Sequence, residues 1–171
     1  MKRFAVVAVV VIALGVGAFA YWRAREAKSA QNIAAAKSAR LNGQFDQAKQ
    51  LLESVPDSVL EAQLERAEVR LATGDLPGAY ALLRNEAAKE PSDPHFWARY
   101  GFTAALMGNS DDAVSALTKA VTATPAEAEA ATHLVQFINQ RDREHATDRI
   151  RALEAQANEP AKSVFHLALQ Q

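Results

Sequence analysis

Two stretches of the chain, LATGDLPGAYALLRNEAAKEP at 71–91 and ALMGNSDDAVSALTKAVTATP at 105–125, carry glycine, alanine, leucine and proline in one shared register. Gly74 and Gly108, Ala79 and Ala113, Leu83 and Leu117, and Pro91 and Pro125 are each 34 residues apart, as are Ala67 and Gly101. A third copy lies upstream, where Ala36, Gly43, Ala48 and Leu52 precede Ala67, Gly74, Ala79 and Leu83 by 31 residues. A fixed period of this length marks stacked supersecondary units, none of which buries its apolar face alone.

Each repeated position has a physical reading. Ala36, Ala67 and Gly101 fall in mid-helix and are expected to face Ala48, Ala79 and Ala113 on the next helix, so that two backbones approach closely. The glycine between them ends the first helix, because a left-handed residue after the last turn is cheap only for Gly or Asn. Asp46, Asp75, Asp111 and Asp112 follow where the next helix begins and suit the positive end of its dipole. Pro77 fits a first helical turn. Pro91 and Pro125 stop the second helix, since proline cannot continue it.

On these residues the chain resembles the tetratricopeptide repeat family, whose unit is a helical hairpin of the same length. The third unit has the fullest pattern: Trp97, Gly101, Gly108, Ala113, Leu117, Ala120 and Pro125. The second keeps Ala67, Gly74, Ala79, Leu83 and Pro91 but has Gln63 and Arg70 at positions where Trp and Tyr are common. The fourth lacks the glycine, with Asp142 in its place. The resemblance covers 30–158, divided into 30–56, 57–93, 94–125 and 126–158, and implies an all-α fold: a short solenoid of three to four hairpins. Helices are expected at about 4–42, 45–54, 58–73, 77–89, 94–107, 111–123, 126–140 and 143–157, and at 161–169, where the segment 159–171 would cap the open end of the stack.

The N-terminus follows another rule. After MKR, the 19 residues 4–22 are uncharged and largely apolar, starting at Phe4 and ending at Trp22. As a helix they span about 28 Å, close to the ~30 Å hydrocarbon core of a bilayer. Tyr21 and Trp22 fall where an interfacial aromatic belt would lie, and 23–29 forms a juxtamembrane linker with Arg23, Arg25 and Lys28. The expectation is an uncleaved single-pass anchor in an inner membrane. The alternative is a secretory signal cleaved near Ala20, because Ala18-Phe19-Ala20 resembles a small-x-small site. Lys2 and Arg3 favour an N-terminus inside and a periplasmic domain, while Arg23, Arg25 and Lys28 weigh the other way. Ala13 and Gly17 form a small-xxx-small pair that permits close helix contact within the span.

Catalytic chemistry is not expected. The chain has no cysteine, hence no disulfide or thiolate nucleophile, and no Gly-rich phosphate loop or nucleophile elbow. His95, His133, His145 and His166 are read as scattered, without carboxylates at metal-ligand spacing. No metal and no cofactor are expected. Setting Lys2 and Arg3 aside leaves 17 of the 19 basic residues against 20 acidic ones, which argues against nucleic acid as a partner.

What stacked hairpins offer is a surface lined by the first helix of each unit. The family's inner-face positions correspond here to Ile33 and Lys37, to Leu64, Glu65 and Glu68, to Ala98, Arg99 and Phe102, and to Thr132, His133 and Gln136. The resemblance implies a partner-binding groove, with Glu65, Glu68, Arg99, Phe102, His133 and Gln136 as candidates. Some family members clamp an acidic C-terminus with a Lys/Asn/Arg set; only Arg99 matches that pattern, so no such clamp is expected. The expected role is a non-enzymatic membrane-anchored scaffold or accessory subunit. Its partner would be a secretion, envelope-assembly, energy-transducing or photosynthetic membrane complex. The alternative is a secreted soluble periplasmic adaptor.

Overall fold

The computed structural model describes the backbone of residues 2–170 and the side chains of 18–170. Among the described residues the chain is all-helical: α1 Lys2–Leu41, α2 Phe45–Glu53, α3 Leu60–Ala72, α4 Leu76–Ala87, α5 Pro94–Leu106, α6 Ser110–Thr122, α7 Ala128–Arg141, α8 Ala146–Gln156 and α9 Ala161–Ala168. It divides into two compact units, Met1–Glu65 and Arg66–Gln171, with the boundary inside α3. Among the described residues no helix is long and apolar enough to cross a membrane. Most of the expected span 4–22, including Phe4, falls outside the residues whose side chains are described, whereas Trp22 lies within them.

Three helices end in the same way, and glycine is the reason. Gly43, Gly74 and Gly108 have φ of +74°, +82° and +80°. The following amide in each case donates back five residues, Gln44 to Ala39 at 2.9 Å, Asp75 to Arg70 at 2.8 Å and Asn109 to Ala104 at 2.9 Å. This is the Schellman closure, which satisfies carbonyls the helix itself leaves open. Asp75 also caps α4, accepting from the Gly78 amide at 2.9 Å, with Pro77 in the first turn.

The fourth hairpin departs from the pattern. Asp142 has φ −144°, not a left-handed value, and residues 143–145 form a turn, so α8 starts at Ala146 instead of 143. The start of α7 is likewise displaced, from 126 to Ala128. The Ala126 and Glu127 amides there donate to the Glu159 and Ala120 carbonyls, at 3.2 and 3.1 Å, in place of a helical ladder.

In the first unit, Ser29, Ile33, Ala36 and Ala39 are buried along one stripe of α1, the side against which α2 packs with Ala48 and Leu52. In the second unit α5 and α6 form the most extensive helix pair. The reason is visible at Gly101: a Cβ there would lie 2.6 Å from Leu117 Cγ and 2.9 Å from its backbone nitrogen. Only a residue without a side chain lets the two helices come so near. Phe96, Leu83, Leu117, Val121 and Leu134 fill the core around this contact. The last helix, α9, packs on α7 and α8 and buries Phe165 completely. Asn158 ties its lead-in to the end of α6, donating to the Thr122 and Ala123 carbonyls at 2.7 and 3.1 Å.

Candidate functional site

In the second unit one set of side chains crosses from α3 through α5 to α7. Arg99 on α5 lies between two carboxylates, Glu68 of α3 at 3.4 Å and Glu129 of α7 at 3.5 Å. Glu129 also faces His133 Nε2, one helical turn on, at 3.6 Å. The His133 ring rests against Phe102, with centroids 4.6 Å apart. None of these ion pairs is shorter than 3.4 Å, and all the charged groups keep contact with water. Such pairs contribute little to stability. The set therefore fixes its charges at a partly solvated surface.

Four of the expected groove residues come together here: Glu68, Arg99, Phe102 and His133. Gln136 is exposed one turn further along α7. Glu65 belongs elsewhere. It is buried in the first unit and grips Arg40, with Oε1 2.6 Å from Nε and Oε2 3.3 Å from the second guanidinium nitrogen. Ile33, Leu64 and Ala98, also expected on the inner face, are buried. Lys37 and Thr132 are exposed.

The reading of the histidines needs correction. His133 is four residues from Glu129, and His145 Nδ1 lies 2.9 Å from Asp142, three residues before it. His166 reaches Glu154 of the preceding helix at 2.9 Å. These are single carboxylate partners, and among the described residues no group of three His, Asp or Glu is placed to hold a metal ion. The Glu129–His133 spacing is the ordinary i, i+4 pairing of a helix face and was available in the sequence. Asp142 also accepts from Arg149 at 3.1 Å, and these two donors, His145 first, hold its carboxyl below the usual range.

A second cluster had no signal in sequence spacing. Asp112 Oδ2 accepts from Tyr80 at 2.5 Å and from Tyr100 at 2.7 Å. The two phenol rings stack with centroids 6.0 Å apart. The hydrogen bonds from Tyr80 and Tyr100 hold the Asp112 carboxyl below its ordinary range. Burial, and then the bond to Asp112, push the Tyr100 phenol well up. The bond to Asp112 is the main reason that Tyr80 is raised as well. The cluster joins α4, α5 and α6, and its acid–base groups are committed to one another. No family model, curated protein or solved structure matches the chain at a significant level.

Proposed function

We propose that the chain is a membrane-anchored, tetratricopeptide-like scaffold, an accessory subunit that holds a partner protein beside a membrane complex and catalyses nothing itself. The observation that carries this reading is the continuity of α1. A single helix runs from Lys2 to Leu41, with the apolar run 4–22 at one end and the stripe that packs α2 at the other. An anchor fused rigidly to the first hairpin replaces three-dimensional search by a high effective concentration at the membrane. Support for the binding surface comes from Glu68, Arg99, Phe102, Glu129 and His133, a polar and aromatic set held by weak pairs. On this reading 4–22 sits in an inner membrane and the hairpins lie on its periplasmic side.

Affinity purification of the full chain from native membranes in mild detergent is the test. A stoichiometric membrane partner is the expected result. A clean monomer overturns the reading. N-terminal sequencing of the mature protein separates the soluble alternative, since a chain beginning at Tyr21 has no anchor.

A further inference from the structure

We propose that the first unit carries a binding site for the headgroup of a phospholipid with a primary ammonium, of the phosphatidylethanolamine type. This inference rests on the reading that 4–22 spans a bilayer. An open depression of about 490 Å³ lies between α1 and the turn that leads into α3. Its α1 wall is one helical stripe, Trp22, Arg25, Glu26 and Ser29, and its facing wall includes Ser58 and Glu61. The stripe is the same one that further along packs α2 and buries Ser29; on the span side of Ser29, Arg25 and Glu26 are exposed and Trp22 is 55 % exposed.

The level is right for a headgroup. Counting 1.5 Å per residue from the end of the span at Trp22, Arg25 lies about 4.5 Å and Glu26 about 6 Å beyond the hydrocarbon edge. The polar layer of one leaflet is roughly 5–8 Å deep.

The chemistry selects among headgroups. Arg25 supplies a cation for the phosphate. Glu26 and Glu61, both exposed, supply acceptors. Two carboxylates beside one guanidinium match a zwitterion whose ammonium has N–H donors for them. A quaternary choline has no N–H to give them, and a headgroup that is anionic overall meets two carboxylates.

The full chain in detergent, titrated with ethanolamine, choline and glycerol phospholipids of identical acyl chains, is read by native mass spectrometry. Retention of the ethanolamine lipid should exceed that of the choline lipid by roughly three- to tenfold, the worth of a lost charge-assisted hydrogen bond in partial contact with water. Glu26→Gln with Glu61→Gln should bring that ratio to about one, and Arg25→Gln should lower both lipids alike. Equal retention of ethanolamine and choline lipids by the unaltered chain overturns the site. Preference for the glycerol lipid does so too, because it means that Arg23, Arg25 and Lys28 act only as a basic cluster. Flotation of the same protein with liposomes separates the two readings. A chain that does not float loses the anchor and the site together, whereas one that floats without discriminating loses the site alone.

Discussion

Tyr80 donates its phenolic hydrogen to Asp112 at 2.5 Å, a contact between α4 and α6 across 32 residues of chain. Tyr100 of α5 shares the same carboxylate oxygen, so one acidic group pins three successive helices. Replacing Asp112 by Asn keeps the shape but leaves two phenols competing for a neutral acceptor. Bonds to charged groups contribute about 1.5–3 kcal/mol, and Asp112→Asn should cost an amount in that range at neutral pH. The sign of the pH dependence follows from the shifts. Asp112 is held low in the folded chain, so its contribution is present above the ordinary carboxylate range, about pH 4, and fades as pH falls through its folded value. Tyr100 is raised, so its contribution is complete below about pH 10 and is lost as pH climbs beyond that. Urea unfolding across pH should show the gap between Asp112→Asn and the unaltered chain closing on the acid side; a gap that does not narrow as pH falls would mean that the carboxylate charge is not what matters.

Gly101 and Gly74 should respond differently to alanine. At Gly101 helix propensity favours alanine by about 1 kcal/mol. The new Cβ would nevertheless stand 2.9 Å from the Leu117 backbone nitrogen, and backbone does not swing aside as a side-chain tip does. Overpacking costs about 1–3 kcal/mol, and a backbone atom within 3 Å puts this site at the upper end, so a net loss of about 2 kcal/mol remains, with the α5–α6 pair prised apart. At Gly74 nothing lies within 4 Å, so only the φ of +82° resists alanine, at about 1 kcal/mol. Thermal unfolding of the two variants should rank Gly101→Ala as the less stable.

The difference between these glycines also shows what a sequence can carry. Positions governed by the backbone, the left-handed Gly43, Gly74 and Gly108 and the close approach at Gly101, repeat because the same geometry recurs in each hairpin. They were legible, as were the helices that they delimit. The fate of Glu65 was not, since its partner Arg40 is 25 residues away and a charge at an expected surface position gives no sign of being buried. Nor was the Tyr80–Asp112–Tyr100 cluster, in which Asp112 looked like an ordinary acidic residue near a helix start. The late start of α8 belongs with these: with Asp142 in place of glycine a left-handed closure is costlier, and the turn takes a longer path.

Arg99 is where surface charge should matter for binding and hardly at all for folding. Its pairs with Glu68 and Glu129, at 3.4 and 3.5 Å, are partly solvated. Arg99→Gln should therefore change stability by no more than about 0.5 kcal/mol. Arg99→Glu would place a third carboxylate between two others and reverse the charge offered to a partner. If Arg99 anchors that partner, co-purification should fall roughly tenfold or more. Recovery of the partner at unchanged yield from an Arg99→Glu chain, with folding intact, would remove this surface from the proposed function.

Arg40 and Glu65 invert that expectation. Their side chains are 16 % and 7 % exposed, and the guanidinium meets the carboxylate through two nitrogens. Removing one member of a buried pair costs about 3–5 kcal/mol, because the other charge keeps its desolvation penalty and loses that attraction. Arg40 retains some water, which places Glu65→Gln near the lower end of that range. Arg40→Met together with Glu65→Met should recover most of the loss, since an apolar pair of similar volume carries no such penalty. A double-mutant cycle in urea reads the coupling directly and should exceed about 1 kcal/mol. Coupling below about 0.5 kcal/mol, combined with weaker partner recovery for Glu65→Gln, would return Glu65 to the binding surface that its position in the repeat first implied.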